Sequence, residues 1–475
     1  MTGVQAAYRG YREPVEVTAE YERKLDAPEG FELPDLGGDP LEPRVFTSIY
    51  HDTADGSLAR AGITLRRRTE RGRSVWQLKL PAADSRLELE QAGGPGEPPV
   101  ELGRLLTAHL RHGGLAPVAE LRTRRHGSLV ARNGTTAEVT VDEVAVMDAL
   151  RVTDEFVEVE IELRSGDPKH LDRLVGEVAG AGAHPTDGTP KLFRALGLER
   201  DRARPPRDPF KALRSLLRRQ LGEILAHDPG TRLGTDPESL HDMRVAVRRS
   251  RALLRAGGTL TGTDTAVLAS ELRWLGEVLG SVRDLDVLLE RLREEAALLD
   301  PADRAAAGRL LRALERARTR ARKTLLKMLD DDRYLRLLDR FEEAVAGMEP
   351  GASTTTLDAL ARRQLKKLAR AAQALGDEPV DAQLHELRKL CKRTRYAFEL
   401  AGNDRVVRRA KALQEVLGAH QDAVVAEAQL RTLAANAPPA QALAAGLLIC
   451  GERRRRDGAR ATWRKAWKQL ERTAA

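Results

Sequence analysis

The sequence predicts an α+β protein of two domains, in which an antiparallel β domain precedes an all-α domain. Hydrophobic residues recur mostly with a period of two before residue 200 and with a period of 3.6 after residue 209. The charge changes at the same place, because residues 1–200 contain 26 basic and 33 acidic residues and residues 201–475 contain 53 and 38. We interpret the charged, proline-rich segment 201–209 as a linker between domains at 14–200 and 210–472.

Eight short runs in the first domain are predicted to be β-strands. Successive strand residues face opposite ways, so each run has one charged face and one apolar face. Such strands form either an open antiparallel sheet with its charged face in water or a closed eight-stranded barrel with a charged lumen. The runs are 15–25, 45–53, 63–70, 75–81, 86–91, 121–127, 137–144 and 156–163.

The charged faces carry two complementary sets of side chains. Clustered carboxylates repel one another unless a cation lies among them, and clustered Lys and Arg side chains need an anion. A Mg²⁺ or Mn²⁺ ion together with a phosphorylated substrate satisfies both sets. The predicted metal ligands are Glu20, Glu22, Glu158, Glu160 and Glu162. The predicted phosphate ligands are Lys24, Arg66, Arg68, Lys79, Arg122, Arg124, Lys191 and Arg194.

The order of these motifs resembles the CYTH, or triphosphate tunnel metalloenzyme, family. The segment from Glu20 to Lys24 has the family's E-x-E-x-K opening, and the other matches follow in family order. They are Tyr50-His51-Asp52-Thr53, Leu65-Arg66-Arg67-Arg68, Lys79, Arg86 to Glu90, Asp142, Glu158 to Glu162 and Lys191-Leu192-Phe193-Arg194. The resemblance covers roughly residues 14–200 and implies an eight-stranded antiparallel tunnel that hydrolyses triphosphates with Mg²⁺ or Mn²⁺.

The same resemblance assigns roles to individual residues. It implies that Glu20, Glu22, Lys24 and Asp142 are catalytic, with Asp142 joining the metal ligands or orienting the attacking water. Gln77 departs from the family, in which a small hydroxyl residue often precedes the lysine that corresponds to Lys79. This departure concerns the choice of substrate rather than the metal.

The all-α domain contains an internal repeat. The segments HDMRVAVRRSR at 241–251 and HELRKLCKRTR at 385–395 both place His, Arg, Arg or Lys, and Arg at offsets 0, 3, 7 and 10. These offsets fall within about 80° of one helix face, so each helix carries a cationic ladder. A second match, between 275–288 and 413–426, predicts a duplicated four-helix bundle.

The two ladders resemble the CHAD domain, a conserved-histidine α-helical domain that is often fused to CYTH. The resemblance covers about residues 208–470 and implies a helical bundle that binds inorganic polyphosphate. The residues that it places along the binding groove are His241, Arg244, Arg248, Arg251, His385, Arg388, Lys392 and Arg395. Further predicted contacts are Arg214, Arg218, Lys366 and Arg370, together with Arg460 and Arg464.

These features predict a metal-dependent triphosphatase, acting on inorganic tripolyphosphate or a related triphosphate, with a polyphosphate-binding helical domain. The alternative is a non-catalytic polyphosphate-binding protein that associates with granules. Specific nucleic-acid binding is disfavoured, because single strands stack on aromatic side chains and aromatic residues are only 4% of the chain. Two cysteines, an N-terminal segment without an apolar core and the lack of a membrane-length apolar stretch predict a cytoplasmic protein without a membrane partner.

Overall fold

The fold was analysed on a computed structural model, which describes residues 16–81, 85–186, 191–192, 208–352 and 355–474. The chain divides into two compact units, Met1–Ala203 and Arg204–Ala475. The first unit contains an antiparallel sheet and the second is helical, so the predicted α+β class is confirmed. Most of the predicted linker lies outside the described residues.

The first unit is built on one antiparallel sheet. Within the described residues its strands are β1 (Glu16–Glu20), β2 (Glu22–Ala27), β3 (Asp39–Pro40), β4 (Arg44–Asp52), β5 (Thr64–Glu70), β6 (Arg73–Pro81), β7 (Arg86–Ala92), β8 (Ala116–Arg132), β9 (Thr135–Asp148), β10 (Arg151–Ser165) and β11 (His184–Pro185). Their order is β1-β7-β6-β5-β4-β8-β9-β10-β2-β11, and β3 pairs with β8.

The first segment of the chain closes this sheet. Strands β1 and β2 are consecutive and are interrupted only at Tyr21, whose carbonyl oxygen accepts a hydrogen bond of 2.9 Å from the Leu163 amide. Strand β1 pairs with β7, and β2 pairs with β10 at the opposite edge. Because the two edges meet on one strand, the structure is the closed barrel rather than the open sheet. Counting β1 and β2 as one strand, and setting aside the two-residue strands β3 and β11, leaves the predicted eight strands among the described residues.

One outer face of the barrel is apolar because a helix covers it. The helices of the first unit's described part are α1 (Ser57–Arg60), α2 (Val100–Leu105), α3 (Thr107–Leu110) and α4 (Leu171–Gly180). Leu171, Leu174 and Val178 of α4 form a buried cluster with residues of β2, β9 and β10, including Val141 and Ile161. Burying a side chain of this size stabilises a fold by about 1.5–3 kcal/mol.

The inner face is charged over only part of its length. Along β9 the alternating interior positions change from Asp142 to Val144 and Val146, and along β10 they change from Glu158 to Phe156. The apolar positions belong to one buried cluster that also contains Tyr50, Leu121 and Leu192. The charged part of the interior is therefore closed at one side by packed apolar side chains.

The second unit contains nine helices in the residues that the structure describes. They are α5 (Pro209–Leu233), α6 (Pro237–Ala256), α7 (Ala266–Ala297), α8 (Pro301–Leu329), α9 (Asp332–Ala346), α10 (Leu357–Gln373), α11 (Asp381–Leu400), α12 (Asp404–Ala434) and α13 (Pro439–Ala474). Helices α5–α8 and α10–α13 are the two predicted sets of four, and α9 is an additional helix between them. The starts of α5, α6, α10 and α12 follow from the sequence. The side chains of the preceding residues, Asp208, Asp236, Thr356 and Asn403, accept hydrogen bonds from backbone amides of the first turn.

The two sets of helices share part of their core. One buried cluster combines leucine and alanine residues of α7 and α8 with residues of α12 and α13, and so contains both repeats. A second cluster lies within α10–α13 and includes Trp463 and Trp467. The repeat therefore folds as one joined bundle rather than as two independent four-helix bundles.

Candidate functional site

The closed sheet encloses a polar cavity of about 320 Å³. Interior positions alternate along each strand, so charged side chains from all around the barrel point into it. The acidic lining residues are Glu20, Glu22, Glu88, Glu90, Glu160 and Glu162. The basic lining residues are Lys24, Arg44, Arg66, Arg68, Lys79, Arg86, Arg125, Arg164 and Lys191. Most of the predicted ligands therefore meet in one cavity, but the predicted metal ligand Glu158 is not among its lining residues.

Glu20 and Lys79 form an ion pair on the wall made by β1 and β6. Lys79 Nζ donates hydrogen bonds to both carboxylate oxygens of Glu20 at 2.6 Å, and it lies 3.5 Å from Glu88. Only 6% of Glu20 is exposed. Burial raises the pKa of Glu20 even though Lys79 opposes the shift. The negative charge of Glu20 is thus incompletely compensated by its partner.

Glu160 is the centre of a second network, on the wall made by β2, β9 and β10. Lys24 Nζ donates to Glu158 at 2.8 Å and also to Glu160, and Lys191 Nζ donates to Glu160 at 2.9 Å and also to Asp142. Burial disfavours the charged form of Glu160. Lys191, Lys24 and Arg125 outweigh it and hold the pKa of Glu160 well below its usual value. Glu160 is therefore a carboxylate at neutral pH.

The basic residue that β8 contributes to the cavity is Arg125, and the prediction of Arg122 and Arg124 is wrong. Arg125 lies opposite Asp142 in the β8–β9 register and donates two hydrogen bonds of 2.6 Å to its carboxylate. Arg122 and Arg124 have the other parity and line a groove on the outside of the sheet with Glu143. No described helix covers this part of the outer face, so it carries charges as well, and charge alone could not identify the inner face.

Arginine side chains dominate another part of the cavity wall. The guanidinium of Arg68 lies 3.9 Å from the ring centroid of Phe46, and its Nε has no hydrogen-bond partner among the described residues. Burial, together with neighbouring Arg66 and Arg44, lowers the pKa of Arg68 to about 10. These guanidinium groups repel one another, and a bound anion would relieve that repulsion.

The negative charge of Glu162 is incompletely compensated, as the positive charge of Arg68 is. It lies on β10 opposite Glu22 of β2, and Arg164 donates a hydrogen bond to it at 2.6 Å. Burial raises the pKa of Glu162 to about 7, and Glu20 contributes to this rise while Arg164 opposes it. One cavity therefore contains an arginine, Arg68, and two carboxylates, Glu20 and Glu162, whose charges are incompletely compensated.

The two cationic ladders of the second unit lie on helices that contact each other. Helix α6 carries the first ladder and α11 the second, and Arg248 Nε of α6 donates a 2.8 Å hydrogen bond to the hydroxyl of Tyr396 on α11. Burial lowers the pKa of Lys392 to about 7, and the charges of Arg388, Arg248 and Arg244 add to this effect. Cations from both ladders therefore lie close enough to repel one another.

The repeated glycines explain how the ladder arginines are accommodated. A Cβ atom at Gly280 would lie 3.4 Å from Arg244 Nη2, and a Cβ atom at Gly418 would lie 3.7 Å from the guanidinium of Arg388. The match between 275–288 and 413–426 thus reflects equivalent positions beside the two ladders. Arg244 also forms an ion pair of 2.8 Å with Asp284.

Comparisons with known proteins agree with this architecture. The CYTH domain model matches residues 18–183, and the CHAD domain model matches residues 215–431. The chain is 33% identical to the uncharacterized protein Rv2226 of Mycobacterium tuberculosis strain H37Rv, over 90% of this chain and 92% of that protein. The chain belongs to the proteins that join a CYTH domain to a CHAD domain.

Two solved structures are similar to part of the chain. PptA from Streptomyces chartreusis is 28% identical, with a TM-score of 0.49, over 55% of this chain and 99% of that chain. The crystal structure of the CHAD domain from the plant Ricinus communis is 26% identical, with a TM-score of 0.46, over 57% of this chain and 93% of that chain. CYTH proteins are generally hydrolases or cyclases and depend on metal ions.

The CYTH cavity contains the donor atoms that a divalent cation prefers, but they are paired with bases. Carboxylate oxygens suit Mg²⁺ and Mn²⁺, and the raised pKa values of Glu20 and Glu162 show that a further cation would be stabilised there. Within the described ranges, no group of three or more His, Cys, Asp or Glu residues has a geometry that could hold a metal ion. The chemistry of the donor set therefore fits a metal, whereas the ion pairs must rearrange to admit it.

Two residues of the family motifs make contacts that the sequence did not predict. Both carboxylate oxygens of Asp52, in the Tyr50-to-Thr53 motif, accept hydrogen bonds from the Leu58 and Ala59 amides at 2.8–2.9 Å, which caps α1. Gln77 lines the cavity, where it accepts a 2.7 Å hydrogen bond from Arg66 Nε. Arg194 lies outside the described residues. The charged lining residues that were not predicted as ligands are Arg44, Arg86, Glu88, Glu90, Arg125 and Arg164. The strict alternation of Arg86, Glu88 and Glu90 with leucines was a sufficient signal for three of them.

The further contacts predicted for the CHAD domain are placed differently from the ladders. Arg218, Lys366 and Arg370 are exposed, and the guanidinium of Arg214 lies 5.8 Å from the ring centroid of Phe210. Arg460 pairs with Asp381, and Arg464 donates to backbone carbonyls after α10, so both have structural partners. Among the ladder residues themselves, Arg395 is buried and the other seven are half-buried.

None of the described helices combines the length and the apolar character that a membrane span requires.

Proposed function

We propose that the CYTH domain is a metal-dependent triphosphatase that hydrolyses inorganic tripolyphosphate or a closely related triphosphate. The observation that carries this proposal is that one enclosed cavity brings carboxylates and bases together and leaves Arg68, Glu20 and Glu162 with incompletely compensated charges. A triphosphate supplies several negative charges in a row, and a divalent cation supplies the missing positive charge. The cavity of about 320 Å³ matches a small, highly charged substrate.

The residues divide the chemistry between them. The guanidinium groups of Arg66, Arg68 and Arg125 hold phosphate oxygens together with the ammonium group of Lys79, and they stabilise the charge that grows on these oxygens during transfer. Glu20, Glu22 and Glu162 would hold the metal. A bound Mg²⁺ or Mn²⁺ polarises a phosphate oxygen and lowers the pKa of a coordinated water. Asp142 and Glu158 are fully buried and keep Lys24, Lys191 and Arg125 oriented toward the cavity.

Hydrolysis of tripolyphosphate by the purified protein tests this proposal. We expect phosphate release with Mg²⁺ or Mn²⁺, no release with EDTA, and a loss of at least about 100-fold in kcat/KM for Glu22→Gln. The control is Glu143→Gln, which removes a carboxylate from the outer groove and should retain full activity. A lack of hydrolysis in a panel of tripolyphosphate, ATP and thiamine triphosphate, or full activity in Glu22→Gln, would disprove the proposal.

We also propose that the CHAD domain binds inorganic polyphosphate along the two ladders. The supporting observation is the close approach of cations from α6 and α11, where the pKa of Lys392 falls to about 7 and Arg388 Nε has no hydrogen-bond partner among the described residues. A row of phosphates would satisfy these donors, since each guanidinium forms bidentate contacts with phosphate oxygens.

Competition binding distinguishes this site from a general basic surface. We expect long-chain polyphosphate to bind the protein and to resist displacement by DNA or RNA of equal charge. The double variant Arg244→Glu/Arg388→Glu should abolish retention, whereas Lys366→Glu/Arg370→Glu, which changes exposed charges on α10, should retain most of it. Equal losses in the two double variants would refute a defined ladder site.

A further inference from the structure

The cavity of the CYTH domain contains ion pairs that occupy both proposed binding sites at once. Lys79 Nζ contacts both oxygens of Glu20 at 2.6 Å, and no other described side chain donates a hydrogen bond to that carboxylate. On the opposite wall, Lys191 Nζ lies 2.9 Å from Glu160 and 3.3 Å from Glu158. The carboxylates that suit a metal are thus covered by the same ammonium groups that suit a phosphate.

While Lys79 holds both oxygens of Glu20, a metal ion cannot use them, and two of the three N–H groups of Lys79 are already occupied. Lys79 is only partly exposed, with 16% of its side chain accessible, so it cannot simply move into bulk water when it is displaced. A displaced Lys79 would keep its 3.5 Å contact with Glu88, whereas an uncovered Glu20 would have no described hydrogen-bond donor, which is unfavourable for a buried carboxylate.

We propose that the Lys79–Glu20 pair blocks both half-sites, so that the metal ion and the phosphate substrate bind in a mutually dependent way. Metal on Glu20 releases Lys79 for the phosphate, and phosphate on Lys79 releases Glu20 for the metal. The inference rests on the proposed triphosphatase function for the identity of the anion. By thermodynamic linkage, the factor by which bound metal raises the affinity for phosphate equals the factor by which bound phosphate raises the affinity for metal.

The first test measures Mn²⁺ binding without any phosphate, by electron paramagnetic resonance of the free ion or by calorimetry. Lys79→Met should bind Mn²⁺ at least about fivefold more tightly than the wild-type protein, because Glu20 is uncovered. Arg66→Met is the matched control. It removes the same charge from the same cavity, but Arg66 donates to Gln77 and Tyr50 rather than to a carboxylate.

The control separates blocking from a general change in charge. If loss of positive charge alone determined the affinity for Mn²⁺, the two variants would gain equally. A gain confined to Lys79→Met supports the blocking pair. Equal gains, or no gain in Lys79→Met, would overturn it.

The reverse test measures tripolyphosphate binding in EDTA, where hydrolysis cannot proceed. Glu20→Gln should bind at least about fivefold more tightly than wild type, since Lys79 is freed, and Glu90→Gln serves as the control. Glu90 lines the same cavity but is paired with Gln77 rather than with a lysine. If Lys79→Met fails to fold, as judged by circular dichroism, this second test decides on its own.

The outcomes also separate this inference from the proposed function. Unchanged affinities in an active triphosphatase would refute the blocking pair and leave the enzyme assignment intact. If Lys79→Met binds Mn²⁺ more tightly and Glu20→Gln binds tripolyphosphate more tightly, but the protein has no triphosphatase activity, the blocking pair is supported and the enzyme assignment is refuted.

Discussion

At the scale of single residues, the alternation of side chains along a strand determines which charged residues point into the cavity. Arg124 and Arg125 are neighbours in sequence, but only Arg125 points inward, where it pairs with the fully buried Asp142. The sequence offered basic residues at both parities of β8 and no means of choosing between them. Pairing with β9 settles the choice, because residues directly opposite each other in a sheet share a face.

A pair of substitutions tests this assignment. Arg125→Met should lower kcat/KM for tripolyphosphate by about 100-fold, because it removes a guanidinium from the phosphate region and leaves Asp142 with Lys191 alone. Arg122→Met should change activity little, since Arg122 faces the outer groove. Steady-state kinetics of both variants would check the expectation. A larger loss in Arg122→Met than in Arg125→Met would contradict the inward position of Arg125.

At the scale of secondary-structure elements, one family motif has a structural explanation. Asp52 lies at the end of β4, and its carboxylate accepts hydrogen bonds from the Thr53, Leu58 and Ala59 amides. The side chain is fully buried and therefore fixes the start of α1 against the strand. The Tyr50-to-Thr53 motif is thus explained in part by helix capping rather than by contact with a substrate.

Removal of this cap should destabilise the CYTH domain. We expect Asp52→Ala to lower its free energy of unfolding by about 2 kcal/mol, since buried backbone amides lose their acceptor. Asp55→Ala, at a mostly exposed neighbouring carboxylate, should cost less. Urea unfolding monitored by tryptophan fluorescence would measure both, and equal effects would argue against the cap.

The ladder helices provide a pH dependence at the same scale. Lys392 faces Arg244 and Arg248 of α6, Asp422 of α12 and Arg388 of its own helix. Its folded pKa of about 7 lies below its usual value of 10.5, so the neutral amine predominates above neutrality. A bound polyanion favours the charged form, and binding therefore takes up a proton.

The direction in which polyphosphate affinity changes with pH follows from this proton uptake. Polyphosphate affinity should begin to fall as pH rises through about 7 and should level off only when Lys392 has lost its proton in the complex as well. In the absence of ligand, the protein should gain stability between pH 7 and 10.5, because only the unfolded state keeps this proton there. Lys392→Arg stays charged, so its affinity should be nearly constant between pH 7 and 9. Binding curves over that range would measure it, and an unchanged slope in Lys392→Arg would exclude Lys392 as the titrating group.

At the scale of the whole molecule, the two units differ in the kinds of charged side chain at their proposed sites. The CYTH cavity combines carboxylates with bases, whereas the ladder positions carry only histidine, arginine and lysine. Binding without cleavage is therefore expected of the helical unit, and cleavage of the β unit. Residues 1–200 have a negative net charge and residues 201–475 a positive one, which agrees with this division of functions.

This division predicts that the two activities can be lost separately. Glu22→Gln should abolish tripolyphosphate hydrolysis while polyphosphate binding is retained, and Arg244→Glu/Arg388→Glu should do the reverse. Both assays on both proteins provide the measurement, with wild type as the reference. If either variant lost both activities while remaining folded, the functions would not be assigned to separate units.

The sequence by itself determined the class of fold, the two families and most of the charged residues that meet in the cavity. These properties depend on local periodicity and on motifs, both of which can be recognised directly in the amino-acid sequence. Only the tertiary structure decided that the strand 16–27 closes the barrel, that Arg125 rather than Arg122 and Arg124 enters it, and that Lys79 covers Glu20. Those outcomes depend on the pairing of strands far apart in sequence, since pairing sets which faces meet and which opposite charges come within hydrogen-bonding distance.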